Sequence, residues 1–257
     1  MPNSQELYIT LLKEAAGIQE FMKRTPQYHS FLEFSDFNMR CEKKMFEQGL
    51  KQRLEYFQMI PDLEKECKQC WRFYLNPRNK SIKKYDVIYG KKFEEVFIKF
   101  LNNIGIDSAK ADEKNAVLPD NLIRNIEGKT IAYYEVKYHN APFVKAYQYQ
   151  PGRECYEGSI TIDYEKVQKQ IETTKAITDL PVYYVHWVDF PCIKGIYYMS
   201  LEETQKAMES GIAYSRKARE GDYITNNKKV KQVGYQNKFY PSLLTMNKLE
   251  QFVLMFQ

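Results

Sequence analysis

Residues 117–137 read VLPDNLIRNIEGKTIAYYEVK, and this stretch decides the fold. Two extended runs, 117–126 and 129–138, flank Glu127-Gly128, and the second is rich in Tyr, Ile and Val. Asn125-Ile126-Glu127-Gly128-Lys129 reads as the turn of a β-hairpin. Side chains alternate across a strand, so Glu135 and Lys137 share one face. Ala132, Tyr134 and Val136 take the other face and can pack against helices. Pairing of the hairpin brings Asp120 near Glu135, so two carboxylates and one ammonium converge at the edge of a small sheet.

Working outward, Phe93, Val96, Phe97, Phe100, Leu101 and Ile104 form one apolar stripe over 91–104. Gly90 precedes that helix, and Gly105 is placed to cap its C-terminus. A polar loop, 107–115, leads to the hairpin. After it comes a loop at 139–158, a helix from Tyr164 to Thr178 and a dense strand at 182–188. Leu180-Pro181 separates these last two. Residues 196–199 are a further strand candidate, and Leu201–Ser210 a helix. Before residue 85 the pattern is helical: 7–22 with Ser4 as N-cap, 39–57, and 61–74 opening on Pro61. The predicted organisation is a helical N-terminal region, 1–85, attached to an α/β (α+β) domain, 86–257, built in the order α-β-β-α-β. A mixed central sheet flanked by helices is the fold class expected.

The trio suits phosphodiester hydrolysis. Magnesium prefers oxygen ligands, which Asp120 and Glu135 would supply. The metal would polarise a phosphate and acidify an attacking water, with Lys137 orienting that water or stabilising developing charge. [Asp/Glu]-x-Lys occurs five times in this Lys- and Glu-rich chain, at 42, 66, 112, 127 and 135. Only Glu135-Val136-Lys137 falls inside a strand, preceded by an acid at a strand start.

Pro119-Asp120, fourteen residues, then Glu135-Val136-Lys137 resembles the PD-(D/E)XK nuclease superfamily, which includes most type II restriction endonucleases. Gly90-Lys91-Lys92-Phe93-Glu94 matches the first five positions of the helix pattern Gly-x-x-Phe-Glu-x-x-Val that often precedes this motif, with Phe97 where the pattern has Val and the nearest Val at 96. The resemblance covers roughly 90–190 and implies a restriction-endonuclease-like core. It implies that Glu94 is an accessory acid on the metal, directly or through water. It also implies Mg2+, double-stranded DNA, a homodimer, a cognate DNA methyltransferase as functional partner, and products ending in 5′-phosphate and 3′-hydroxyl. A repair or junction-resolving nuclease, and a nuclease-like module that only binds nucleic acid, are the competing readings.

The net charge of +5 is uneven. Seven cations between Arg216 and Lys238 face only Glu220 and Asp222, an excess equal to that of the whole chain. Clustered cations favour a polyanionic partner through counterion release. Gln148, Arg153, Arg216 and Arg219 are candidates to read bases, and Lys228, Lys229 and Lys231 to hold the backbone. Other features point elsewhere or nowhere. Cys67-x-x-Cys70 lacks a second ligand pair for zinc. His139 reads as a loop or packing residue and His186 as core. No phosphate-binding P-loop is present. No apolar run is long enough to span a membrane, and the N-terminus lacks the layout of a signal peptide, so a cytoplasmic location is expected.

Overall fold

A computed structural model describes residues 2–25, 32–48, 83–111, 118–140, 158–190, 192–217, 223–226, 229–232 and 234–257. At its centre is β3 (Thr130–His139), which pairs antiparallel with β2 (Asn121–Arg124) and parallel with β5 (Val182–Asp189). The hairpin forms where the sequence places it. The Asn125 side chain accepts hydrogen bonds from the Glu127 and Lys129 amides, and Gly128 sits at φ 76°. That positive φ is a conformation other residues adopt only at a cost.

Three more strands extend the sheet. β1 (Ser108–Lys110) lies outside β2, and β6 (Lys194–Ser200) lies beyond β5 and carries the short β11 (Asn247–Lys248). The six-stranded order is β1-β2-β3-β5-β6-β11, a mixed sheet. β1 falls within the predicted loop 107–115, and the two-residue β4 (Ile162–Asp163) precedes the second helix, which corrects the order α-β-β-α-β to α-β-β-β-β-α-β. Asn102 explains β1: its side chain donates to the Ser108 carbonyl and accepts from the Ser108 amide, drawing a polar segment into the sheet.

Helices cover both faces. α4 (Lys83–Asn103) runs eight residues further back than the apolar stripe predicts, so Gly90 lies inside the helix. Its C-terminus has the Schellman pattern, with the Ile106 amide on the Leu101 carbonyl, the Gly105 amide on the Asn102 carbonyl, and φ 89° at Gly105. Phe93, Phe97 and Phe100 pack with Ala132, Tyr134 and Val136 of β3 and with Val185 and Trp187 of β5. α1 (Ser4–Glu14), α2 (Ala16–Met22) and α7 (Leu249–Phe256) join this cluster through Leu7, Tyr8, Leu11, Ile18 and Phe252. Each large side chain buried there contributes on the order of 1.5–3 kcal/mol. The N-cap of α1 is Asn3, one residue before the predicted Ser4; its side chain accepts from Glu6, whose carboxylate accepts from Asn3 in return.

The opposite face, with Val182, Tyr184, Val188, Tyr197 and Met199, packs against three helices. These are α3 (Asp36–Gln48) through Cys41 and Met45, α5 (Tyr164–Ile177) through Val167 and Ile171, and α6 (Leu201–Ser210) through Leu201 and Met208. Predicted helix 39–57 is described only to Gln48, and 61–74, with Cys67 and Cys70, lies outside the described residues.

The basic segment 216–238, left without structure by the sequence reading, contributes strands. β10 (Tyr235–Phe239) pairs with β7 (Tyr214–Lys217) and β4 (Ile162–Asp163), and β8 (Tyr223–Asn226) pairs with β9 (Lys229–Gln232). No helix among the described residues is long and apolar enough to cross a membrane.

Candidate active site

The site begins with one polar residue on an apolar face. Glu135 belongs to the side of β3 that meets α5, and it is 5% exposed. Its Oε1 lies 3.0 Å from Lys137 Nζ, two residues on along the same face, and 3.6 Å from Lys166 Nζ. Its Oε2 accepts from the Gln170 side-chain amide. Lys166 and Gln170 are four apart on α5, and residues at that spacing lie on one helix face.

Burial alone would raise the Glu135 carboxyl. The ammonium groups of Lys137 and Lys166, with the hydrogen bonds from Gln170 and Lys137, outweigh it and draw the carboxyl from 4.5 down to about 2. A carboxylate anchored this way stabilises the fold only while ionised. Its contribution, on the order of 3 kcal/mol, is present above about pH 4.5 and is lost as the pH falls towards 2. A 13C titration of the glutamate carboxyls should show Glu135 still ionised at about pH 4, and should show its titration moving upward in Lys137→Met. A Glu135 that titrates at the ordinary value in the wild type would contradict this electrostatic picture.

Asp120 stands at the start of β2. Asn121 pairs with Tyr134, so the next step of that register sets Asp120 opposite Glu135. The Ala111 amide donates to the Asp120 carbonyl, 2.9 Å away, which fixes the backbone at this corner. Desolvation and then the charge of Glu135 raise the Asp120 carboxyl, partly offset by Lys166, Lys110 and Lys137.

Glu94 arrives from α4, in the layer on the other side of the sheet. Its Oε2 lies 2.6 Å from Lys110 Nζ on β1. Desolvation raises this carboxyl, the Lys110 ammonium opposes that, and the charges of Asp120 and Glu135 add to the rise. Glu135 thus raises Asp120, both raise Glu94, and lysine charges oppose the rise at each.

Like charges held together at a sheet end are relieved by a divalent cation. The oxygen donors of Asp120 and Glu135 fit a hard one, since magnesium is commonly held by one or two carboxylates with water completing its shell. Among the described residues no group of three His, Cys, Asp or Glu side chains is disposed to hold a metal ion.

His139, two residues beyond Lys137, has Nε2 3.2 Å from Nδ1 of His186. His186 is fully buried on β5, and burial, then His139 and Lys137, hold it well below the usual histidine range. A neutral imidazole in the core agrees with the sequence reading.

Lys166, Gln170 and Lys110 were not singled out from sequence. The only available signal was that Lys166 and Gln170 flank the apolar positions Val167 and Ile171, a pattern any surface helix shows. Of the expected DNA contacts, Gln148, Arg153, Arg219 and Lys228 lie outside the described residues. The backbone of Arg216 lies on β7 opposite Gln236, while Lys229 and Lys231 lie on β9 opposite Asn226 and Ile224. Compared with known proteins, the chain matches no family model, no curated protein and no solved structure.

Proposed function

We propose that this chain is a magnesium-dependent DNA endonuclease, of the type II restriction kind, with Asp120, Glu135 and Lys137 at its centre. The observation that carries this reading is the Glu135 carboxylate, buried in β3, contacting Lys137 and set in register with Asp120. The element order α4-β1-β2-β3-β4-α5-β5, with β2 antiparallel and β5 parallel to β3 and β4 outside this sheet, supports a restriction-endonuclease-like core. When bound, Mg2+ supplies Lewis-acid polarisation of the phosphate. Asp120 and Glu135 hold it and Glu94 adds negative charge nearby. Lys137 stabilises charge developing on the phosphate.

Double-stranded DNA is the substrate in this reading, cut to leave 5′-phosphate and 3′-hydroxyl ends. A two-fold dimer would match a palindromic site, and a methyltransferase of the same specificity would protect host DNA. Digestion of plasmid DNA tests the proposal. Discrete fragments should form with Mg2+ and none after chelation with EDTA. Cleavage confined to branched or damaged DNA would instead indicate a repair or junction-resolving enzyme, and binding without cleavage a non-catalytic module.

A further inference from the structure

Three ammonium groups stand in the site, paired with two of its three acids. Lys110 pairs with Glu94 at 2.6 Å, while Lys137 and Lys166 approach Glu135 Oε1 at 3.0 and 3.6 Å. Three carboxylates and three ammonium groups make the site neutral as it stands. A divalent cation entering beside Asp120 and Glu135 adds two positive charges to that balance. It also competes with lysine for the same carboxylate oxygens.

The three lysines are not held alike. The Lys137 side chain is 18% exposed, that of Lys110 40% and that of Lys166 64%. Lys137 is a near neighbour of Glu135 on the same strand and stays in place. Lys110 comes from β1 and Lys166 from the first turn of α5, each on a long flexible stem whose charged head reaches solvent. Both heads reach solvent, but their carboxylates are only 13% (Glu94) and 7% (Glu135) exposed, so each lysine leaves when a cation takes over the charge of the acid it stood on. A DNA strand offers them phosphates in exchange, and an ammonium binds phosphate as a mobile point charge.

We propose that Lys110 and Lys166 are exchangeable counter-ions, which leave Glu94 and Glu135 for DNA backbone phosphates when a divalent cation occupies the site. Cation and DNA then each tighten binding of the other, by equal factors, as linkage requires. The inference rests on the nuclease reading of the site, and goes beyond it by giving two further lysines a role in DNA binding and a reason for that role.

The test uses Ca2+ as the probe cation, because it binds through the same carboxylate oxygens with looser geometry. Calorimetry measures Ca2+ binding, and fluorescence anisotropy measures affinity for a labelled duplex with and without Ca2+. In the wild type, Ca2+ should tighten duplex binding about tenfold. In the Lys110→Gln, Lys166→Gln double variant, Ca2+ should bind the DNA-free protein more tightly than in the wild type. Coupling should shrink to about twofold or less, and the salt dependence measured with Ca2+ should lose a slope of about two. Lys169→Gln, an exposed lysine on the same helix, should change none of these.

A double variant that keeps the tenfold coupling and the wild-type salt slope would overturn the exchange and leave the nuclease reading standing. Absence of Ca2+ binding by the wild type, or binding that survives Glu135→Gln, would overturn both.

Discussion

Glu135→Gln should lower the rate of Mg2+-dependent DNA cleavage about 10³-fold or more, with the fold retained. The substitution keeps the shape of the side chain and an oxygen to accept from Gln170, so packing between β3 and α5 survives. What disappears is the one negative charge in this layer that meets Lys137 and faces Asp120. Both functions assigned to Glu135, holding a cation and keeping Lys137 in position, need that charge. Lys137→Met should fall by a comparable factor for the complementary reason: an ammonium aimed at the phosphate is lost while the stem is kept. Initial rates on plasmid DNA, with thermal unfolding as the control for folding, measure both. Undiminished cutting by either variant would remove that residue from the active centre.

The largest effect on stability is expected at the β5–β6 hairpin. Asp189 ends β5, fully buried, and is paired in register with Lys194, 6% exposed, at the start of β6. Lys194 donates to one Asp189 oxygen, and the Tyr138 hydroxyl donates to the other at 2.7 Å. Tyr138 also stacks on Phe93 at 3.6 Å, tying this ion pair to the end of β3 and to α4.

Asp189→Ala removes the buried carboxylate that Lys194 and Tyr138 both donate to, and should cost about 3–5 kcal/mol in urea denaturation. Replacing both members, as Asp189→Leu with Lys194→Met, should recover most of that loss, because a buried pair contributes little over apolar packing. Exposed ion pairs belong to a different class, where about 0–1 kcal/mol is typical. A loss of that smaller size at Asp189 would show that the buried pair is solvated in solution.

The hairpin, the α4 stripe and the approach of Asp120 to the Glu135 end of β3 were legible because each depends on local pattern. Alternation over Ala132–Lys137 places Glu135 and Lys137 together whatever surrounds them, and Asn125 with Gly128 fixes the turn. β1 was not legible. Ser108-Ala109-Lys110 carries no apolar alternation, and it joins the sheet through Asn102 and through its pairing with β2. The extension of α4 back to Lys83 was hidden by Gly90, a residue that weakens a helix by itself but is tolerated where Tyr89 and Phe93 are buried on either side.

Lys166 and Gln170 were hidden for a different reason. Nothing in a Lys-rich chain separates a solvated helix lysine from one that reaches a buried carboxylate across the fold. Only the docking of α5 against β3 makes the distinction. The same limit applies to Glu94, whose place on the margin of the stripe was readable but whose pairing with Lys110 depends on the unforeseen strand β1.

The most direct test of the nuclease assignment is digestion of a long defined DNA by wild type and Glu135→Gln side by side, with and without Mg2+, followed by sequencing of the ends. The assignment predicts recurrent ends at one short sequence, bearing 5′-phosphates, from the wild type with Mg2+ alone. Intact DNA in every wild-type reaction, or equal cutting by Glu135→Gln, would contradict it.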